Sequence, residues 1–161
     1  MAKTYTLTAA AQTLTFTGQP LNTETVVVGG KTYTFQTTLT DVDGNVKIGA
    51  DTATSIANLK AAINLGAGAG TAYATSMTAN TRVIASSSTA TTLVVTALTP
   101  GEVGNLIAST ETLTNGSWGA AVLAGGAGNV TAFIQDLFNL NQINSEIIFE
   151  LRQLTATATA D

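Results

Sequence analysis

The chain has 161 residues, of which 45% are hydrophobic, 10% charged and 6% aromatic, and 31 are Thr. That length can bury a core without disulfides or metals, and an ordinary apolar fraction excludes a disordered chain, even with charge far below the roughly 25% of an average domain. Six basic and ten acidic residues give a formal charge of −4, and Lys3, Lys31, Lys47, Lys60, Arg82 and Arg152 are scattered, so no basic surface for phosphate can be drawn and no nucleic-acid partner is expected.

Absence of Cys removes disulfides, thiolate nucleophiles and sulfur metal ligands, and absence of His removes the usual base near neutral pH. The start, Met1-Ala-Lys-Thr-Tyr5, has no charged region followed by an apolar run and a cleavage site. No stretch approaches the roughly 18 apolar residues of a spanning helix. The expectation is a soluble chain that starts where the sequence starts, with no membrane partner.

From Lys3 to about Gly126 the chain reads as short strands punctuated by Gly, Asn, Asp and Pro. Tyr5 and Leu7 alternate with Thr4, Thr6 and Thr8, and Leu14 and Phe16 with Thr13, Thr15 and Thr17, the period of two of half-buried strands. Thr25 to Val28, then Gly29-Gly30, then Lys31 to Gln36 predicts a β-hairpin, because two glycines accept the positive φ values of a type I′ turn. Asp41-Val-Asp-Gly-Asn45 reads as a turn and Val46 to Ile48 as a short strand.

The period then changes. From Asp51 or Thr52 to Asn64, Ile56, Leu59 and Ile63 fall on one helical face, with Ala53, Ala57 and Ala62 expected on the same side. Asp51 or Thr52 can cap the first turn, and Leu65-Gly66 stops the helix. Tyr33, Phe35, Ile56, Leu59 and Ile63 are expected to share one core. Gly66 to Gly70 reads as a flexible connector. Thr81 to Ser86, Thr91 to Leu98, Asn105 to Ser109 and Trp118 to Leu123 read as further strands, with turns at Thr99-Pro-Gly101 and Asn115-Gly116. Strands, one helix, then strands make an α+β domain over residues 1–126, with a mainly antiparallel sheet and one packed helix at about 52–64.

Ala124 to Gly128 reads as a hinge opening a second region, 127–161. Asn129 to Leu154 holds no Gly or Pro and three of the five Phe, and is expected to be a helix. With Val130 as heptad position a, positions a and d are Val130, Phe133, Leu137, Leu140, Asn144, Ile147, Leu151 and Leu154, a seam that winds around a partner helix. A lone Asn at a fixes register and helix number at a cost in stability. Ile134, Phe138, Ile143, Ile148 and Phe149 lie outside the seam, so half or more of the circumference is apolar. The expectation is a long C-terminal oligomerisation helix buried between subunits, by a coiled coil with a trimer favoured or by insertion into a neighbour, the alternative being a helix packed on its own domain, with a Thr/Ala tail after it.

Motifs that could carry chemistry are few. Asp41, Asp43 and Asn45 match alternate positions of a calcium loop, but Gly44 is at position 4 and Thr52 stands where a bidentate Glu is needed, so a turn is expected and no metal. Gly66-Ala-Gly-Ala-Gly70 follows a helix, whereas phosphate-cradling glycines precede one. Glu146 and Glu150, one helical turn apart, read as a charged flank near Arg152. Asn115-Gly-Ser117 and Asn129-Val-Thr131 match the glycosylation sequon, which occurs by chance. No catalytic residue and no cofactor are expected, and the chain is read as no enzyme.

The segments Thr17-Gly-Gln-Pro20, Val26 to Phe35, Val46-Lys-Ile-Gly-Ala50, Ile56 to Asn64, Leu98-Thr-Pro-Gly101 and Gly104-Asn105 together resemble a module of structural proteins of tailed bacteriophages. The resemblance spans about residues 14–126 and brings no catalytic or binding residues with it. It implies a virion protein assembled in the host cytoplasm and contacting other virion proteins. One short module with no long repeat points to a capsid decoration or cement protein, with a tail, neck or fibre component as the alternative. A carbohydrate-binding or adhesion module is a further alternative, for which Tyr5, Tyr33, Tyr73 and Trp118 are the candidate sugar platforms.

Overall fold

The computed structural model describes residues 6–128 and 130–158, with side chains described for 6–128 and 133–154. Residues 6–128 form one compact unit, and the C-terminal helix belongs to a second.

The first unit is α+β. Its strands are β1 (Ala11–Phe16), β2 (Thr25–Val28), β3 (Lys31–Gln36), β4 (Asn45–Lys47), β5 (Val83–Ser88), β6 (Thr92–Ala97), β7 (Ser109–Glu111) and β8 (Gly116–Trp118), with helix α1 (Thr52–Asn64) between β4 and β5. They form two four-stranded sheets, ordered β5-β6-β1-β8 and β4-β3-β2-β7. The alternation of Leu14 and Phe16 with Thr13 and Thr15 becomes a buried face and an outer face of β1. Leu93, Val95 and Ala97 do the same on β6, its antiparallel neighbour. Phe16 of one sheet and Phe35 of the other meet edge to face, 6.3 Å between ring centres, inside a single core cluster.

The hairpin expected at 25–36 is β2–β3, with Gly29 at φ 63° and Gly30 at φ 80°. A Cβ at Gly29 would also lie 2.7 Å from Asn80 Oδ1, so both conformation and space select glycine there.

Helix α1 has the expected bounds. Asp51 Oδ1 accepts from Thr54 N at 2.7 Å, and Leu65 at φ 49° closes the C-terminus. Tyr33, Phe35, Ile56, Leu59 and Ile63 share the core as expected. The helical face is narrower than expected: Ser55, Ile56, Leu59, Ala62 and Ile63 are buried, whereas Ala53 and Ala57 are exposed. At 100° per residue those two alanines fall 60–100° to one side of Ile56, while the buried set spreads to the other.

Several expectations are corrected. β3 and β4 pair in parallel, joined by residues 37–44 with no helix. Short parallel crossovers are rare, and side-chain bonds hold this one: Asn45 Nδ2 donates to Thr40 Oγ1 at 2.8 Å, and Gln36 Oε1 accepts from Thr40 Oγ1 at 2.8 Å. The strand expected at 105–109 is instead a 3₁₀ turn, Glu102–Leu106, with β7 starting at Ser109. The strand expected from Trp118 to Leu123 is absent but for its first residue: β8 covers Gly116–Trp118, starting inside the expected Asn115-Gly116 turn, and beyond it Val122 makes only an isolated bridge to Ala108. The strand expected around Tyr5 and Leu7 survives as one bridge, Thr8 to Ala127, and Tyr5 lies outside the described residues.

The connector 66–70 is pinned rather than free. Tyr73 Oη donates to Gly66 O, Gly70 N donates to Tyr73 O at 2.7 Å, and Ala72 N donates to Gly68 O at 2.7 Å. The stretch read as a hinge is also tied into the first unit. Ala124 exchanges backbone bonds with Ala11, Ala127 with Thr8, and Asn105 bonds both backbone groups of Gly126 at 2.9 Å.

The second unit holds α2 (Val130–Ala158). It runs through residues 155–158, which the sequence assigns to the tail. Ala alternates there and no Gly or Pro breaks the pattern, so the helix has no local reason to stop at Leu154. Asn129 and the last three residues lie outside the described residues.

Candidate interaction surface

The residues with chemical potential in the first unit serve the fold. Asp43 Oδ1 accepts from Lys31 Nζ at 2.6 Å and from Thr78 N at 2.9 Å, and Asp43 Oδ2 accepts from Thr78 Oγ1 at 2.6 Å. Partial burial raises the Asp43 carboxyl, but the bonds from Lys31 and Thr78 outweigh it and hold the group down at about 2. Asp41 Oδ1 accepts from Ser76 N at 2.7 Å. The Asp-x-Asp-x-Asn turn therefore docks the 74–78 segment with its carboxylates, and no group of three or more His, Cys, Asp or Glu among the described residues could hold a metal ion.

Glu24 and Asn80 are among the buried polar residues not singled out by the sequence. Glu24 accepts from Leu21 N and from Thr114 N, each at 2.7 Å, bridging the loop before β2 to the loop before β8. Burial raises its carboxyl, and these two amides more than offset that and lower it. Asn80 donates to Val28 O at 3.0 Å and to Tyr33 Oη at 3.3 Å, and accepts from Val83 N at 3.1 Å. Burial pushes the Tyr33 phenol up to about 12, the Asn80 bond opposing and the Asp43 charge adding. Each residue joins a local partner (Leu21 for Glu24, Val83 for Asn80) to one far along the chain (Thr114 for Glu24, Val28 and Tyr33 for Asn80), and a run of sequence gives no signal for the distant ones.

Of the candidate sugar-platform residues, Tyr5 lies outside the described residues and the other three form no platform. Tyr33, Tyr73 and Trp118 are all buried, and Trp118 Nε1 donates to Thr110 O at 3.1 Å. Asn115 Nδ2, which a glycan would need, donates to Gln19 O at 3.0 Å.

Three of the four sheet edges are already covered. On β5, Asn64 pairs with both Ala85 N (2.8 Å) and Ala85 O (2.9 Å), and Val83 N is taken by Asn80. Beside β4, Lys47 N donates to Ala72 O at 2.9 Å and Ala74 N to Asn45 O at 3.0 Å. Beside β7, Ser109 N donates to Ala121 O at 2.9 Å. β8, the fourth edge, is three residues long. Natural sheets block strand addition by short and covered edges of this kind, so a partner has little open backbone to pair with here.

Helix α2 presents the opposite case. In the single chain, its seam residues Phe133, Leu137, Leu140, Ile147, Leu151 and Leu154 are 40–66% exposed, and Asn144 is exposed among them; the side chain of Val130 lies outside those described. Flanking the seam, Ile134, Ile143 and Ile148 are 44–51% exposed. Seam and flanks cover about half the helical circumference at 100° per residue; the other side carries Gln135, Asn139, Gln142, Glu146 and Gln153, and with them Phe138 and Phe149, 65% and 62% exposed. Glu146 and Glu150 sit on this helix with exposed side chains. No helix among the described residues is long and apolar enough to cross a membrane.

Comparisons with family models, with curated proteins and with solved structures each return no match to the chain.

Proposed function

We propose that this chain is a non-enzymatic structural protein of a tailed-bacteriophage virion, a capsid decoration or cement protein that joins copies of itself as a homotrimer through α2 and adds contacts to the particle. The observation that carries the reading is the apolar half of α2. Leu137, Leu140, Ile143, Ile147, Ile148 and Leu154 are 49–66% exposed in the single chain. Complete burial of such a side chain stabilises by about 1.5–3 kcal/mol, so from half exposure each has about 1 kcal/mol still to gain, or about 6 kcal/mol per chain. Contiguous apolar surface of that extent marks an interaction site. Apolar residues at e and g as well as at a and d favour more than two helices, since a dimer would leave those flanks in water.

The covered sheet edges and buried aromatics support a role in which the first unit is a rigid body. Its phage assignment rests on the sequence segments between residues 14 and 126 that resemble virion modules. A cement acts by multiplicity, because many weak bridges between neighbouring shell subunits sum to a large barrier against bursting.

The test is to produce particles lacking the protein. They are expected to assemble and then lose genome at a lower temperature, or under osmotic shock, than complete particles, with added protein restoring the difference. Depleted particles with normal heads and defective tails or adsorption would replace the cement reading with a tail, neck or fibre component.

A further inference from the structure

We infer that the α2 helices associate in parallel and in register, with the Asn144 side chains of all copies meeting in one layer. This rests on the self-association proposed above and adds its geometry.

Two arrangements bring the whole seam together, and they differ in what each polar residue meets. In an antiparallel pair with full overlap, each a residue faces a d residue of the partner: Leu137 meets Ile147, and Asn144 meets Leu140. Each Asn144 amide is then buried against a Leu with no polar partner, at a cost of about 1–3 kcal/mol per group. The g positions also face each other, placing Asp136 of one copy beside Glu150 of the other at both ends of the pair. Like charges brought together in this way destabilise the pairing and act against it as a partner choice.

Parallel in-register association removes both conflicts. Position a meets a, so Asn144 meets Asn144, and an amide both donates and accepts. Position g meets e of the next heptad on the neighbouring helix, which puts Asp136 beside Asn141 and Ile143 beside Ile148. In these two contacts polar meets polar and apolar meets apolar. Sliding one helix by a heptad would bury Asn144 against Leu137 or Leu151, so the same residue that selects the direction also selects the register. A consequence is that the connection to residues 6–128 enters every helix at the same end of the bundle.

The native chain has no Cys, so single cysteines report direction without background. Full-length Leu137→Cys and Ile147→Cys would each be oxidised mildly, alone and as an equal mixture. Parallel in-register helices bring like positions within disulfide reach, so each variant is expected to cross-link to itself. If neither self-links and only the mixture gives a 137–147 product, the direction is overturned while self-association stands. If no product forms and the unmodified chain sediments as a monomer at tens of micromolar, self-association itself is overturned. As a second measurement, Asn144→Leu is expected to raise the melting temperature of the assembly and to replace one sedimenting species by a mixture. A single species of unchanged or lower melting temperature overturns the role given to Asn144.

Discussion

Leu59 sits at the centre of α1, fully buried in the core cluster that both sheets share. Leu59→Ala removes three carbons. At about 0.8 kcal/mol per buried CH₂ the transfer loss alone is about 2.4 kcal/mol. The vacated space adds to this, at about 24 cal/mol per Å³, to the extent that the neighbours do not collapse. α1 packs against β4 of one sheet and β5 and β6 of the other, and hydrogen-bonded sheets relax little. The expected cost is therefore about 3–4 kcal/mol. The assay is urea unfolding followed by the fluorescence of Trp118, the one Trp in the chain, buried at 8% exposure in the first unit. Ala57→Ser, on the exposed side of the same helix, is the control, with an expected change under about 0.5 kcal/mol. A Leu59→Ala loss below 0.5 kcal/mol, or a control loss as large as that of Leu59→Ala, would show that α1 does not pack by this face.

Three further perturbations have worked signs. Gly29→Ala should cost more than Gly30→Ala: both adopt left-handed φ, worth about 1–2 kcal/mol of strain, but only Gly29 would place a Cβ 2.7 Å from Asn80 Oδ1; equal losses in the Trp118 assay would remove the close contact from the argument. Asn64→Ala strips two bonds from the β5 edge, so a loss of about 1–3 kcal/mol is expected together with increased light scattering on storage, and unchanged scattering would mean that the edge needs no cover. Asp43 is held at about 2 in the fold against 3.8 unfolded, so its contribution is complete above the unfolded value and fades as pH falls from about 4 to about 2. The Asp43 side chain is 45% exposed, so solvent screening reduces this to about 1 kcal/mol or less. Asp43→Asn should flatten the acid limb of a pH–stability curve, and an acid limb identical to that of the parent would assign it to other carboxylates.

What was legible in the sequence divides by range. The β2–β3 hairpin and α1 follow from patterns a few residues long: two glycines between alternating strands, and an apolar spacing between Asp51 and Leu65. The parallel β3–β4 pair was not legible, because residues 37–44 carry no crossover helix and are shaped by bonds among Gln36, Thr40 and Asn45. The apolar look of Asn105 to Ser109 suggested a strand, yet the turn after Pro100 continues as a 3₁₀ segment and sends Leu106 outward, 76% exposed. Gly66 to Gly70 read as flexible because glycine is permissive locally, while the residue that orders it, Tyr73, follows later in the chain. The heptad of α2 is the reverse case. Its pattern is plain in the sequence, and in the single chain that face is exposed.

The same chain shows how a domain with so little charge stays specific. Among the described residues of 6–128 there is one ion pair, Lys31–Asp43. Amide side chains bonded to backbone replace others: Asn64 on Ala85, Asn80 on Val28 and Val83, Asn105 on Gly126, and Asn58 on Lys47. Such bonds are directional like ion pairs but are not screened by salt, whereas exposed ion pairs weaken as ionic strength rises. The proposed α2 seam is apolar, and burial of that kind is strengthened by sulfate or phosphate and weakened on cooling. Both halves of the design therefore point the same way. Raising NaCl from tens of millimolar to about 1 M should leave the Trp118 unfolding midpoint and the sedimenting species nearly unchanged. Dissociation of the assembly on adding salt would place the association in charged contacts and not in the seam, and would move the search for the interface from the apolar side of α2 to Asp136, Glu146, Glu150 and Arg152.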